Sequence, residues 1–137
     1  MDANVKAVIL ECAKASAEGR IMFGDVVKNL MGAGVERYHV DFMRGEASYY
    51  LPNGDYAVAA MPMHGRPAAE FSAAGVEAAV RGAQSGALQY PAFCERAMEA
   101  GCAGYIVSMV GQRVVYYGRT GDTHVEWFPG AKRRAGL

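Results

Sequence analysis

The side chains best suited to chemistry are a histidine and a carboxylate two residues apart, His124 and Glu126. Residues i and i+2 of a strand lie on the same side of a sheet, so the two side chains are expected to be neighbours. Val125, between them, is then expected to face the core. A histidine beside a carboxylate suits general acid–base catalysis or part of a metal shell. The same pair also occurs on solvated or dimer-facing strands, so both interpretations stay open.

Aromatic side chains near this pair are suited to binding a flat ligand or a protein partner. Tyr116 and Tyr117 are adjacent in sequence, as are Tyr49 and Tyr50, so each pair sends one ring to each face of a sheet. The outward ring offers apolar area with a polar tip, which suits both packing and recognition. Tyr117 and Trp127 are therefore candidate ligand- or partner-binding residues, with structural packing as the alternative.

Two further candidates, His64 and Arg66, lie beside Gly65 and Pro67. Glycine and proline are typical of the connections between structural elements. A cleft between the two halves of the chain could gather His64 and Arg66, which makes them candidates for ligand binding.

Three cysteines, Cys12, Cys94 and Cys102, form no C-x-x-C pair and have no paired histidines nearby. This pattern favours buried, reduced thiols over a disulfide framework or a zinc site.

The sequence also contains no Walker loop, dinucleotide-binding glycine motif, G-x-S-x-G, H-E-x-x-H or EF-hand loop. We predict no metal and no cofactor, and the balance is against an enzyme.

Composition favours a globular domain in the cytoplasm. The chain has 137 residues, 52% of them hydrophobic, with 14 basic and 14 acidic side chains. This balance removes the positive field that nucleic-acid binding needs. No apolar run is long enough to cross a membrane or to act as a secretion signal. The basic residues Lys132, Arg133 and Arg134 are expected to lie in a solvated tail at 130–137.

The sequence also repeats itself. A shift of 67 residues aligns residues 4–62 with residues 71–129 without a gap. The identical positions are mainly glycines, tyrosines and prolines, which mark turns and strands. They include Gly19 with Gly86, Gly34 with Gly101, Tyr38 with Tyr105, Tyr49 with Tyr116 and Pro62 with Pro129. We therefore predict repeat one at 4–62, a linker at 63–70 and repeat two at 71–129.

Each repeat is predicted to form two helices followed by three strands. Apolar residues recur at helical spacing in the first half of each repeat and at period two in the second half. Turns such as Asn53-Gly54 are too short for crossovers, so each strand triplet forms an antiparallel meander. We predict an α+β fold, with two tandem pseudo-symmetric α-α-β-β-β repeats in a single domain, 1–137, whose helices cover the meanders. One six-stranded sheet and two three-stranded sheets are both open.

Part of the chain resembles a known family. The residues that carry the resemblance are Tyr90-Pro91-Ala92-Phe93-Cys94, Ala100-Gly101, Tyr105, Val107, Tyr116-Tyr117-Gly118, Gly121-Asp122, His124, Glu126 and Phe128-Pro129. They resemble the small YbcV-like proteins of bacteria and prophages, often labelled phage envelope proteins. The resemblance implies a bacterial or prophage-related protein. It transfers no catalytic residue, since the family has no assigned activity, and Asp122 stands where a glutamate is expected.

The leading hypothesis is a noncatalytic cytoplasmic protein that binds a ligand or a partner, with a second copy or another protein as the candidate partner. It rests on the missing catalytic motifs and on the aromatic strands. The alternative is a small enzyme, or a metabolite- or metal-binding protein, with a site around His124 and Glu126 where Tyr117 orients the ligand. Nucleic acid and membranes are not expected as partners.

Overall fold

Helices and strands follow the predicted order, two helices and then three strands, twice over. The computed structural model describes residues 1–131. The elements are α1 (Ala3–Ala17), α2 (Phe23–Gly32), β1 (Arg37–Asp41), β2 (Glu46–Tyr50), β3 (Tyr56–Ala60), α3 (Ala73–Gln84), α4 (Tyr90–Glu99), β4 (Cys102–Ser108), β5 (Arg113–Gly118) and β6 (Thr123–Trp127). The α+β fold with a repeated layout is therefore confirmed. The predicted basic side chains of the tail, Lys132, Arg133 and Arg134, lie outside the described residues.

Local sequence signals set the ends of the helices. Asp2 caps α1 by accepting a hydrogen bond from the backbone N–H of Asn4 at 2.7 Å. Gly34 and Gly101 follow α2 and α4 with φ angles of 90° and 87°. This left-handed conformation lets the chain leave a helix and turn into a strand. Because both repeats use it at equivalent positions, both pass from helix to strand in the same way.

All six strands form one sheet in the order β3-β2-β1-β4-β5-β6, and every neighbouring pair is antiparallel. The first strands of the two repeats, β1 and β4, are neighbours at its centre. The two meanders are thus joined into one sheet, a choice that the sequence left open.

The register of this central strand pair is two-fold symmetric. Tyr38 lies opposite Val107, and Tyr105 lies opposite Val40. His39 and Ile106, which occupy equivalent positions in the two repeats, lie opposite each other. A pseudo-two-fold axis therefore passes near this point and relates the two halves of the molecule.

The helices lie against one face of the sheet, and the other face is not covered by any described helix. Side chains alternate between buried and partly exposed positions along β1, β2 and β5. The most enclosed core side chains include Ile9, Leu30, Val40, Val76 and Val107. Burying one such side chain contributes about 1.5–3 kcal/mol to folding. Within residues 1–131, no helix is both long enough and apolar enough to cross a membrane.

The first turn of each meander contains a residue with a left-handed backbone. In the first repeat this residue is Gly45, with φ of 64°, and at the equivalent position of the second it is Gln112, with φ of 52°. Glycine adopts this conformation freely, whereas a residue with a Cβ does so at a cost. Gln112 is the one non-glycine residue with positive φ in the described chain, and it is a point of backbone strain.

Candidate functional site

His124 and Glu126 lie side by side on β6 and form a polar network with Arg81 of α3. His124 Nε2 lies 2.5 Å from Glu126 Oε2, and Arg81 Nη1 donates to Glu126 Oε1 at 2.9 Å. The His124 and Glu126 side chains are 18% and 12% exposed. Arg81 also contacts Glu77 and Gln84 on its own helix. The network therefore ties α3 to the edge strand β6.

This network lies on the helix-facing side of the sheet. His124 and Glu126 do share one side, as expected, but Val125 faces away from the helices and is 38% exposed. Its neighbour across the strands is Val115, while the neighbour of His124 is the buried Tyr116. The expectation that Val125 faces the core was therefore wrong.

The Glu126 side chain is held as a carboxylate. Partial burial by itself raises the pKa of this carboxyl, but the hydrogen bonds and positive charges of Arg81 and His124 outweigh it, and the pKa falls below its usual value of 4.5. The hydrogen bond to Glu126 in turn raises the pKa of the Arg81 guanidinium. Because both carboxylate oxygens are engaged, the network suits positioning of side chains better than proton transfer to a ligand.

Tyr117 lies on the opposite face of the sheet from His124. Its hydroxyl lies 2.6 Å from Nε2 of His39. The ring passes over Gly104, where a Cβ would come within 2.4 Å of the tyrosine hydroxyl. Burial raises the pKa of the phenol to about 12. The hypothesis that Tyr117 orients a ligand beside His124 and Glu126 was therefore wrong.

Trp127 also presents its ring on this second face. The guanidinium carbon of Arg113 lies 4.7 Å from the centre of the Trp127 ring, and that of Arg37 lies 4.0 Å from the centre of the Tyr50 ring. Stacking of a guanidinium on an aromatic ring is attractive. The rings of Tyr117 and Trp127 thus lie on the face of the sheet opposite the polar network around Glu126, and Trp127 also borders the large cavity beside Glu126.

A cavity of about 1000 Å³ lies between the sheet and the helices, on the pseudo-two-fold axis. Its walls are mainly apolar and combine equivalent residues of the two repeats. These are Tyr38 with Tyr105, Tyr49 with Tyr116, and Gly19 with Gly86. Arg20, Met22 and Gln89, in or beside the loops that join the paired helices, line the cavity and are exposed. The cavity therefore opens to solvent between these two loops.

Three tyrosine hydroxyls face this cavity without a hydrogen-bond partner among residues 1–131. Tyr38, Tyr49 and Tyr116 are 4%, 2% and 6% exposed. No described residue hydrogen-bonds to their hydroxyls, and no fully enclosed side-chain oxygen lacks a partner, so these oxygens open onto the cavity. Tyr105 differs, because its hydroxyl lies 2.7 Å from that of Tyr90.

Charged side chains in the cavity wall are Arg20, Asp25 and Glu126. Arg20 is exposed and pairs with Glu11 and Glu18, and Glu126 is engaged by its network. Asp25 is exposed at the start of α2. In the described part of the chain, the interior of the cavity is therefore lined by apolar residues, tyrosines and the buried Ser16, with no unpaired buried charge.

The three cysteines are buried free thiols, as predicted. Burial raises the pKa of Cys94 to about 12 and that of Cys102 to about 11. The reactive thiolate is therefore scarce at neutral pH. Across residues 1–131, no group of histidine, cysteine, aspartate and glutamate side chains is arranged to hold a metal ion.

His64 and Arg66 are exposed in the segment between β3 and α3. Arg66 borders a small depression of about 360 Å³ beside the turn between β1 and β2. Neither residue lines the large cavity. The structure therefore does not gather them with the other candidate residues.

Sequence reasoning missed Arg81 and the cavity. Arg81 lies 45 residues from Glu126, and no local pattern connects them. The inward-facing tyrosines Tyr49 and Tyr116 were not among the candidate site residues. The available signal was their identity in both repeats, because equivalent inward-facing residues converge where a symmetry axis crosses the core.

Comparison with known proteins concerns the second repeat. A family model described as "Protein of unknown function (DUF1398)" matches residues 68–126. The match starts just before α3 and ends at Glu126 in β6, so it covers one α-α-β-β-β unit. No curated protein matches the chain. The resemblance to YbcV-like proteins stays a prediction.

Proposed function

We propose that this protein is a noncatalytic binding protein that holds a small, uncharged organic molecule in the cavity between its helices and its sheet. One observation carries the proposal. Three deeply buried phenolic hydroxyls, those of Tyr38, Tyr49 and Tyr116, face an apolar cavity without a partner from residues 1–131.

The size of the cavity suits a small molecule. Its volume of about 1000 Å³ lies at the upper end of the range of about 300–1,000 Å³ found for ligand pockets. Such pockets typically combine apolar walls with a few polar groups that fix the orientation of the ligand. This cavity has that composition.

The phenols define the polar groups of the ligand. The three phenol oxygens open onto the cavity, and a tyrosine hydroxyl can both donate and accept a hydrogen bond. A carbonyl, a hydroxyl or a ring nitrogen would satisfy it. The rings of Tyr38 and Tyr49 are stacked at 5.2 Å, so a planar ligand can extend the same stack.

The charge distribution favours an uncharged ligand. An ion that enters an apolar cavity loses its hydration, and this loss is large unless a counter-ion is present. Glu126 is already paired with Arg81, and Arg20 is already paired at the rim. Asp25, the third charged residue of the wall, is exposed to solvent at the start of α2, so no charged side chain lies free in the described interior of the cavity to neutralise a buried ligand charge.

Binding without catalysis agrees with the polar network. Glu126 contributes both oxygens to contacts with Arg81 and His124, and Arg81 holds its pKa low. A general acid or base needs a pKa near the working pH. The network instead supports the wall of the cavity, where Glu126 is one of the lining residues.

Native mass spectrometry of the protein, purified gently from a cell that naturally makes it, tests the proposal. We expect a reproducible extra mass of a small organic molecule. Once the ligand is identified, Tyr49→Phe should weaken its binding about five- to tenfold, because one hydrogen bond contributes about 1 kcal/mol. Tyr50→Phe is the matched control, since Tyr50 lies on the other face of the sheet.

Two results would overturn the proposal. The first is a protein of bare chain mass that also binds nothing from a small-molecule extract of the same cells. The second is equal affinity in Tyr49→Phe and Tyr50→Phe. Chemical conversion of the bound molecule that stops in His124→Ala would contradict the noncatalytic part of the proposal and restore the enzyme hypothesis.

We further propose that the protein works in the cytoplasm of a bacterium and is related to YbcV-like proteins. The resemblance between Tyr90 and Pro129 supports the relationship. Three buried free thiols support a reducing compartment. Detection of the protein in a periplasmic or secreted fraction of such cells would contradict the compartment.

A further inference from the structure

The face of the sheet opposite the helices, here called the outer face, carries three rows of side chains that run across all six strands. The aromatic–arginine row consists of Tyr56, Tyr50, Arg37, Ser108, Arg113 and Trp127. The central row consists of Val58, Ser48, His39, Ile106, Val115 and Val125. The acidic row consists of Ala60, Glu46, Asp41, Gly104, Tyr117 and Thr123.

The central row is mostly apolar and open to solvent. Val58, Ile106 and Val125 are 48%, 39% and 38% exposed. At its two ends the aromatic–arginine row adds further apolar area, including Tyr56, which is 63% exposed. Ser48 and His39 interrupt the row, but Ile106, Val115 and Val125 form an apolar run across three neighbouring strands, and exposed apolar patches typically mark interaction sites.

The charges of the outer face are sorted onto opposite edges. Arg37 and Arg113 lie in the aromatic–arginine row, and Asp41 and Glu46 lie in the acidic row. The central row separates the two rows by about 14 Å, since a strand rises about 3.4 Å per residue. Arg37 and Glu46 each have a local partner, Glu36 and Arg44, but both ion pairs are exposed and therefore weak.

We propose that the outer face binds the outer face of a second copy of this chain. The two copies are related by a two-fold axis that lies between the two sheets and runs parallel to the rows. A half-turn about this axis places the aromatic–arginine row of one copy over the acidic row of the other. The central row meets itself. Each strand lies over its counterpart and runs in the opposite direction.

The contacts that result are complementary. Arg37 of one copy faces Asp41 of the other and lies diagonally across from Glu46. Arg113 faces the ring of Tyr117, a favourable pairing of a guanidinium with an aromatic face. Ile106 packs on Ile106 of the second copy. Two packed sheets lie about 10 Å apart, a distance that such side chains can span.

The charge pattern also selects this axis over the other possible one. A two-fold axis parallel to the strands would place the aromatic–arginine row of one copy on the same row of the other. Arg113 would then lie over Tyr50, which already carries Arg37. Like charges brought together in an interface are unfavourable. The axis parallel to the rows avoids this repulsion.

The buried area is sufficient for a stable dimer. Six strands spaced about 4.8 Å apart, with three rows of side chains, cover about 600 Å² on each copy. The two faces together then bury about 1,200 Å² or more, which is within the range of specific interfaces. The helices and the opening of the cavity lie on the other side of the sheet, so the dimer and the cavity are independent proposals.

Sedimentation velocity over a concentration series tests the dimer with a charge swap. We expect the natural chain to be a dimer at micromolar concentration. Arg37→Glu and Glu46→Arg should each raise the dissociation constant about tenfold or more, because the first places a carboxylate over Asp41 and the second places a guanidinium diagonally across from Arg37. The double variant restores opposite charges across the diagonal while position 37 still faces Asp41, so it should recover part of the affinity.

Arg96→Glu is the matched control, because Arg96 is exposed on α4, on the helical side of the molecule. It should leave the dimer unchanged. A natural chain that stays monomeric at about 100 μM would overturn the proposal. So would a double variant that is weaker than both single variants. Circular dichroism of each variant distinguishes loss of association from loss of the fold.

Discussion

Among single residues, the cavity tyrosines carry the most specific information. Tyr49 and Tyr105 are both buried, yet only the Tyr105 hydroxyl has a hydrogen-bond partner among residues 1–131, Tyr90. A side chain that serves only the fold needs no polar atom at such a place. Under the proposed function, the hydroxyl of Tyr49 forms its hydrogen bond with the ligand in the cavity.

The stability of two phenylalanine variants checks this difference. Tyr49→Phe should change the free energy of unfolding by less than about 0.5 kcal/mol, since no protein hydrogen bond is lost. Tyr105→Phe should reduce it by about 1 kcal/mol, because the hydrogen bond between the Tyr90 and Tyr105 hydroxyls is lost. Urea denaturation of ligand-free protein measures both. An equal loss in the two variants would mean that Tyr49 has a structural partner.

The cysteines allow a second test at the residue scale. The pKa of Cys94 is raised to about 12 and that of Cys102 to about 11, so less than about one thiol in a thousand is ionised at pH 7. We expect iodoacetamide to modify these two residues only when the chain unfolds. Mass spectrometry after timed labelling, with and without urea, gives the rates. Rapid labelling of the folded protein would show that the helical layer opens easily.

At the scale of elements, the two edge strands, β3 and β6, present different side chains to the helices that cover them. In β3 the helix-facing residues are Ala57 and Ala59, and α1 packs directly on them. In β6 the equivalent residues are His124 and Glu126, which meet Arg81 from α3. One edge is closed by small apolar side chains and the other by a charged network.

The polar network around Glu126 in β6 should make the free energy of unfolding depend on pH. The folded pKa of Glu126 lies below its usual 4.5, so its contribution is present above that pH and is lost as the pH falls through the folded pKa. At pH 7, Glu126→Gln should be less stable than the natural protein by about 1 kcal/mol. Below about pH 4 the difference should shrink. Urea denaturation at pH 7 and pH 3.5 measures it, and a difference that stays constant would exclude this coupling.

The first turn of each meander gives another prediction for an element. Gln112 holds a φ of 52° where the first repeat has Gly45. Gln112→Gly should stabilise the protein by up to about 1 kcal/mol, because glycine adopts this conformation without a Cβ clash. Gly45→Ala is the reciprocal variant and should destabilise it. Thermal unfolding compares them, and a lower melting temperature for Gln112→Gly would mean that the Gln112 side chain has a compensating contact.

The helices and strands could be predicted from the sequence, but the side of the sheet on which each residue of β6 lies could not. The alignment of the two repeats correctly placed Val125 of β6 at the position that Val58 holds in β3. Both valines nevertheless face outward, and the small residues Ala57 and Ala59 face the helices. A valine in an edge strand is usually taken as core. Here the close approach of α1 favours alanine inside, and this preference depends on tertiary packing.

At the scale of the whole molecule, the joining of β1 to β4 and the cavity were beyond sequence reasoning. Each meander has two edges, and no local pattern specifies which edges pair. The cavity depends on how far the helices stand from the sheet, and this distance is set by side chains far apart in the chain. The usable signal was the identity of two inward-facing pairs, Tyr38 with Tyr105 and Tyr49 with Tyr116, which line the cavity from both repeats.

The symmetric pairing of β1 with β4 has a consequence for stoichiometry. A site beside a symmetry axis is built once from two halves, so the chain should take up a single ligand molecule rather than one per repeat. A ligand with two similar ends could enter in either of two opposite orientations. The walls are not fully equivalent, because Glu126 lines the cavity whereas its equivalent in the first repeat, Ala59, does not, and this difference should decide which end of the ligand lies beside the second repeat.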